Sequence, residues 1–322
     1  MLYHVVLTDV FNLIYRVKKS EKEVLDVVNN FVDFINLKVK PYLRKDADLY
    51  LLFDPIVKSD MSVSKYFKNS PDRQDILSTY KAKREHDPLV MASAIMIKTY
   101  YQHRGEHIKI CVNDFLEADD YVEQILKLYE PKTKFALITT DSDWHKYITS
   151  NVHIINKDFE KPYTIEDFER KYKVLPTIAF VTLYKAFFGD PGDNIAGAAT
   201  TKPTKQVKLL YEDIEKWLKH VAKSGEELGP IVHRLKTYSF IDVINKENKT
   251  PEEEMWLKLS SGNTKINILS ALLNNIRVIK SRCKQVDKHI QWNPDNPKIN
   301  NLLEETLGRT PKTKRKFKFG NR

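Results

Sequence analysis

Phe135-Ala136-Leu137-Ile138-Thr139-Thr140-Asp141-Ser142-Asp143 is a short apolar run that ends on two carboxylates, and the first half of the chain repeats the pattern. Tyr3 to Thr8 (YHVVLT) leads to Asp9, and Asp48 to Phe53 (DLYLLF) leads to Asp54. Ile108 to Val112 (IKICV) leads through Asn113 to Phe115 into Glu117, Asp119 and Asp120. Runs this short and this rich in Val, Ile, Leu and Phe, separated by longer amphipathic stretches, predict an α/β fold: a mostly parallel sheet with flanking crossover helices. Glu21 to Val39 carries one apolar stripe (Val24, Leu25, Val28, Phe31, Val32, Ile35), and Tyr121 to Tyr129 carries another (Val122, Ile125, Leu126, Tyr129). In open parallel sheets the site forms beyond the carboxyl ends of the strands, where all four acidic groups fall. A single Asp at such a junction is commonly only a helix cap. Four strand ends that converge on one edge point to a site.

Composition narrows the chemistry. The 322 residues carry 53 Lys+Arg against 43 Asp+Glu, a formal charge of +10, and the 42% hydrophobic fraction is enough for a real core. No apolar run approaches the roughly 20 residues that cross a bilayer, and Met1 to Tyr15 lacks the order of a signal peptide, so the expected location is the cytoplasm with no membrane contact. Cys111 and Cys283 are too few for a disulfide framework or a four-thiolate zinc site. Among nine glycines there is no G-x-x-x-x-G-K-[ST] and no G-x-G-x-x-G, which sets aside phosphate-loop ATPases and dinucleotide-dependent oxidoreductases. The basic excess favours a polyanionic partner.

The connection from Asp54 to Glu117 is about twice the roughly 30 residues of a simple βαβ unit. Its first half, Val57 to Pro88, is polar and basic (Lys58, Lys65, Lys68, Arg73, Lys81, Lys83, Arg84), with Tyr66, Phe67 and Tyr80 interleaved. Long insertions in compact domains are usually functional, and this composition suits phosphate contact and base stacking. The second half reads as helical. A helix from Pro176 to Phe188 stops at Gly189 in a left-handed conformation, followed by Asp190-Pro191-Gly192-Asp193 as a type II turn that brings its end α-carbons to within about 7 Å. After Ala196-Gly197-Ala198-Ala199, a helix from about Pro203 to Val221 carries Lys202, Lys205 and Lys208 near its start. Helices joined by a small-residue hairpin with a basic rim can hold a nucleic-acid backbone. Asn293 to Pro297 is turn-rich, and the tail from Pro311 is basic without an acid (Lys312, Lys314, Arg315, Lys316, Lys318, Arg322).

Asp9, Asp54, Glu117, Asp119, Asp120, Asp141, Asp143, Asp190 and Asp193 could not all stay ionised in one cleft without compensation. Divalent cations supply it, and all-oxygen ligands select hard ions such as Mg²⁺ or Mn²⁺. A pair of such ions roughly 4 Å apart is an arrangement that hydrolyses phosphodiesters. Phe115-Leu116-Glu117-Ala118-Asp119-Asp120 resembles the E-A-D-D motif of the 5′ nuclease family, which includes flap endonucleases, the nuclease domain of bacterial DNA polymerase I and phage 5′-to-3′ exonucleases, phage ribonuclease H among them. Thr140 to Asp143 resembles its D-x-D motif, Gly189 to Gly197 its G-D-x-x-D-N-I-x-G motif, and Tyr80-Lys81-Ala82-Lys83-Arg84 its Y-K-x-x-R motif. Asp9 and Asp54 match the acids after its first strands, so the likeness runs in order from Tyr3 to about Leu210.

The resemblance implies a PIN-like nuclease core over 1–175, with an arch inserted at about 57–90. It also implies a helix-hairpin-helix DNA-binding region over 176–292 and a C-terminal segment with a basic tail over 293–322. It implies a first metal held mainly by Asp54, Glu117, Asp119 and Asp120 with Asp9 in support, and a second held or oriented by Asp141, Asp143, Asp190 and Asp193. Lys81 and Arg84 would act on the scissile phosphate, with Tyr80, Lys83, Lys202, Lys205 and Lys208 on nucleic acid. The implied cofactor is two Mg²⁺ ions, with Mn²⁺ as a substitute. The implied partners are DNA with 5′ flaps or nicks and RNA–DNA hybrid, met by a monomer, with a single-strand binding protein or replicative polymerase as protein partner. The implied task is exonucleolytic and flap-endonucleolytic removal of RNA primers or flaps during replication or repair. Two departures stand out: Gly197-Ala198-Ala199-Thr200-Thr201-Lys202-Pro203-Thr204 lacks two of the family's hairpin glycines, and Asp143 is followed by Trp144, His145 and Lys146, with His145 expected at a surface or packing position. A non-catalytic branched-DNA binder on the same scaffold and a PIN-type single-strand ribonuclease are the alternative readings.

Overall fold

The computed structural model describes residues 2–56, 73, 76–78, 81, 87–102, 104, 107–113, 116–199, 205–260, 268–279 and 290–291, with side chains at 205–210, 240–241 and 290–291 not described. The four expected strands form: β1 (Tyr3–Asp9), β2 (Leu43–Leu52), β3 (Ile108–Cys111) and β4 (Phe135–Ile138). Two short strands extend the sheet, β5 (Val152–Ile154) beside β4 and β8 (Ile290–Gln291) beside β3, giving the order β5-β4-β1-β2-β3-β8 with only β8 antiparallel. Because β1 pairs with both β2 and β4, the order reverses beside it, and the crevice at this switch opens next to Asp9.

Alternation along β1 explains the layers. Val6 faces a core made with α1 (Val10–Lys18), α2 (Val24–Asp33) and α3 (Pro88–Tyr101), through Leu13, Phe31 and Ile97. Val5 and Leu7 face the opposite core, with α4 (Ala118–Lys127), α5 (Ile165–Tyr172) and α6 (Ile178–Phe188). The helices α7 (Lys205–Ser224), α8 (Leu228–Thr237), α9 (Phe240–Ile244), α10 (Pro251–Ser260) and α11 (Ile268–Ile279) join this same core through Trp217, Ile231, Val243, Trp256 and Ile276. Among the described residues no helix is long and apolar enough to cross a membrane.

Several local expectations need correction. The helix expected over Glu21 to Val39 is α-helical only to Asp33 and continues as a π-helix over Phe34–Val39, where Lys40 N–H donates to Ile35 C=O. The wider turn buries Ile35 and Val39 and leaves Leu37 outside, while Leu25 is exposed rather than part of the stripe. Pro176 lies before α6, which starts at Ile178 because the Thr177 hydroxyl accepts the Phe180 N–H. Gly189 does have a positive φ of 89°, but its ψ of 170° makes it extended rather than left-handed helical, and it begins the two-residue strand β6 (Gly189–Asp190).

The Asp190 turn is not type II. Pro191–Asp193 is a 3₁₀ turn, stabilised because Asp190 Oδ1 accepts the Gly192 N–H at 3.0 Å, and the left-handed residue is Asn194, with φ 55°. Asn194 turns the chain into β7 (Ile195–Ala196), which pairs antiparallel with β6. The resulting hairpin is tight: a Cβ on Gly197 would lie 2.4 Å from the Phe187 carbonyl oxygen. Asn275 of α11 closes it from the side, its Nδ2 donating to the carbonyls of Ala186 (2.9 Å) and Ala196 (2.8 Å). Because Asn275 is buried, Asn275→Leu removes one hydrogen bond from each carbonyl, that of Ala186 keeping the Ala198 N–H, and is expected to lower unfolding stability by about 1–3 kcal/mol. Urea denaturation checks this, and an unchanged midpoint would contradict the clamp.

Candidate active site

The acids at the strand ends are first of all local structural groups. Asp9 caps α1 by accepting the Asn12 N–H at 3.0 Å, and Thr139 Oγ1 donates to its other oxygen at 3.3 Å. Asp54 reaches across from the end of β2 to accept the Ala118 N–H at 2.9 Å, at the start of α4. Glu117 and Asp120 form a capping box there, with the Glu117 N–H donating to Asp120 Oδ2 at 3.0 Å. Asp141 accepts the Asp143 N–H at 2.8 Å and so caps the 3₁₀ turn Ser142–Tyr147. Capping therefore explains the position of several acids, and the parallel sheet delivers those positions to one edge.

Among the described residues, Arg73, Lys81 and Lys185 form ion pairs with the cluster. Glu117 Oε2 accepts from both Arg73 Nη1 (2.6 Å) and Lys81 Nζ (2.7 Å). Arg73 Nη2 also reaches Asp120 Oδ1 at 2.8 Å and Asp119 Oδ2 at 3.5 Å. Lys185 of α6 serves the other side, pairing with Asp143, with Asp190 at 2.7 Å and with Asp141 at 3.8 Å. Oxygen atoms of Asp143, Asp190 and Asp193 all lie within 4.8 Å of one another. Lys81, at a left-handed φ of 49°, donates its backbone N–H to the Asp193 carbonyl at 2.8 Å, which joins the two sides.

Among the described residues these three cations are fewer than the nine acids. Burial, with Asp54 and Asp141 nearby, pushes the Asp9 carboxyl up to about 8. Burial raises Asp54 as well, against the lowering effect of Lys81. Burial brings Asp120 to about 6 despite Arg73, and burial with the neighbouring Asp143 brings Asp141 to about 6. Two acids go the other way: burial disfavours charge on Glu117 and Asp119 too, but Lys81 and Arg73 hold Glu117 below its ordinary value, and Arg73, Lys146 and Lys81 hold Asp119 at about 2. Asp9 thus carries a proton near neutrality, while Glu117 and Asp119 stay charged. This donor set, all carboxylate oxygen, fits hard divalent cations, which would replace the protons as the compensating charge.

All nine acids singled out from the sequence lie on this edge, and so does Lys81. Tyr80, Lys83, Arg84 and Lys202 lie outside the described residues, as do the hairpin 200–204, most of the insertion 57–86 and the tail 293–322. Lys205 and Lys208 fall on the start of α7, whose side chains there are not described. His145 is a packing residue: it is stacked on Tyr163 with centroids 4.8 Å apart, and burial holds its imidazole down to about 4. Sequence reasoning gave no role to Lys185 and counted Arg73 only among the basic residues of the insertion. A basic residue five positions before the Asp190 of the G-D motif is the local signal for Lys185; none marks Arg73.

No family model matches the chain. It is 26% identical over 229 residues to a 5′-3′ exonuclease of Aquifex aeolicus, covering 67% of this chain and 74% of that protein. It is 25% identical over 150 residues to the flap endonuclease of Escherichia phage T5, covering 44% of this chain and 51% of that protein. It spans only 18% of the DNA polymerase I of Deinococcus radiodurans, which it also matches. A solved structure of the phage T5 5′-exonuclease with bound divalent metal ions superposes with a TM-score of 0.51 at 20% identity, over 85% of this chain and 88% of that one. That likeness is one of fold.

The raised value of Asp9 has a thermodynamic consequence. A carboxyl near 8 in the folded state and about 3.9 when unfolded keeps a proton on folding, so stability falls as pH rises through this window. His145 works in the opposite sense only below its unfolded value of about 6.5. Metal-free protein is therefore expected to melt at a higher temperature at pH 6.5 than at pH 8.5, with added Mg²⁺ or Mn²⁺ raising the melting temperature more at pH 8.5. Calorimetry in EDTA and in metal checks both parts, and equal melting temperatures at the two pH values would contradict the buried, protonated Asp9.

Proposed function

We propose, from the chain's likeness to 5′ nucleases, that it is a member of that family and a metal-dependent phosphodiester hydrolase acting as a 5′-to-3′ exonuclease and 5′ flap endonuclease. The observation that carries this reading is the meeting of acids from four strand ends and the Asp190 hairpin on one edge, with Asp143, Asp190 and Asp193 within 4.8 Å of one another. Its substrates are DNA with 5′ flaps or nicks and RNA–DNA hybrid, its task primer or flap removal in replication or repair, and its place the cytoplasm. Two Mg²⁺ ions are the cofactor, with Asp54, Glu117 and Asp119 on one side and Asp141, Asp143, Asp190 and Asp193 on the other. Bound there, such a pair supplies an activated water and neutralises the leaving oxygen.

The chain's own groups do the remainder. Lys81, whose backbone N–H donates to the Asp193 carbonyl and whose ammonium donates to Glu117, is assigned to polarising the scissile phosphodiester, a task it would share with Arg84 of the same stretch of sequence. Lys202, Lys205 and Lys208 hold the duplex backbone beyond the hairpin. A purely binding role is disfavoured because concentrated negative charge repels phosphates unless metal fills it.

The test is a cleavage panel of 5′-labelled flap DNA, nicked DNA, RNA-primed DNA and unpaired RNA. Short labelled products from the three duplexes in Mg²⁺, none in EDTA and none from unpaired RNA are expected; intact substrates in both Mg²⁺ and Mn²⁺ would refute the reading. Asp141→Asn keeps the oxygen that caps the 3₁₀ turn, so it is expected to fold and bind DNA yet lose activity by about a hundredfold or more. Loss of folding instead would mean that Asp141 is only a cap.

A further inference from the structure

Arg73 is 1% exposed although it belongs to a polar, basic stretch, and Asp120 is 0% exposed although the sequence makes it look like a ligand. A buried charge persists only when it is paired and hydrogen-bonded, and each of these residues answers for the other. Both oxygens of Asp120 are engaged within the protein, Oδ2 by the Glu117 N–H at 3.0 Å and Oδ1 by Arg73 Nη2 at 2.8 Å. The other arm of the same guanidinium takes Glu117 Oε2 at 2.6 Å. The neighbouring Asp119 differs: its side chain is 13% exposed, and its contact with Arg73 is the longest of the three, at 3.5 Å.

We propose that Asp120 is a positioning residue rather than a metal ligand, and that Arg73 completes it. The buried Arg73–Asp120 pair orients Glu117, and through Arg73 it fastens the insertion between Asp54 and Asp87 to the metal-holding turn of α4. The inference rests on the nuclease reading for what Glu117 and Asp119 do, and it revises the sequence expectation that Asp120 holds the first cation. The geometry favours arginine specifically. A planar fork spans two carboxylates one helical turn apart, which a single ammonium does not. The turn is rigid at this point, because the capping box fixes Glu117 and Asp120 relative to each other.

Mn²⁺ binding to the purified full chain, counted by calorimetry and electron paramagnetic resonance, tests the proposal without relying on turnover. Asp119→Asn, the ligand control, is expected to lose one bound ion. Asp120→Asn is expected to keep the wild-type number of ions with affinity weakened by about 10- to 100-fold, the size of effect seen for groups that orient ligands. Arg73→Gln should weaken affinity by a similar factor, and the double variant should be no weaker than the worse single one, because both changes break one unit. If Arg73→Gln does not fold, Arg73→Lys keeps the charge and is expected to retain the ion count with weakened affinity. Loss of an ion in Asp120→Asn, or single effects that multiply in the double variant, overturns the proposal. A wild-type chain that shows this Mn²⁺ pattern but cuts none of the duplex substrates supports the proposal and overturns the nuclease reading.

Discussion

Mutual repulsion among carboxylates gathered at one sheet edge is the constraint to which the rest of this molecule answers. A parallel sheet places strand ends side by side, and this chain puts an acid at or just after the ends of four strands. Each acid taken alone is a sound helix or turn cap. Their sum is unfavourable, and the protein meets it in two ways: Asp9 holds a proton, and others are paired with Arg73, Lys81 and Lys185. Among the described residues neither device matches the number of acids, which suits the edge to cations from solution.

The compensating groups also connect distant parts of the chain. Arg73 and Lys81 belong to the insertion after β2, and Lys185 belongs to α6, in the second half. Lys81 touches both sides, through Glu117 with its ammonium and Asp193 with its backbone. The centre is therefore held together by the same cations that moderate its charge. Altering any one of them changes both electrostatics and geometry.

How much of this was legible in the sequence follows from the range of each interaction. The four strands and the nine acids could be read because a buried strand and a strand-end acid are local patterns, repeated four times. Arg73 could not, since its partners Glu117 and Asp120 lie 44 and 47 residues away and nothing in its neighbourhood distinguishes it from the other basic residues. Asn275 was unmarked for the same reason. The Asp190 turn was misread because Pro-Gly at its centre is compatible with two geometries. The side chain of Asp190 itself, bonded to Gly192 N–H, selects the 3₁₀ form and moves the left-handed residue to Asn194. The π-helical end of α2 and the two-residue β8 were missed because neither has a periodicity long enough to detect.

The Asn275 clamp has a meaning for the order in which the protein comes into being. Its acceptors, Ala186 and Ala196, precede it by 89 and 79 residues. On a ribosome strands β1 to β5, α4 and the Asp190 hairpin are all synthesised well before α11, and domains tend to fold as units from the N-terminal end as they emerge. The hairpin therefore gains the Asn275 restraint only once α11 has been made. A nascent chain that has not yet reached α11 lacks the clamp on Ala186 and Ala196, so the hairpin that carries Asp190 and Asp193 is braced only after that helix has emerged.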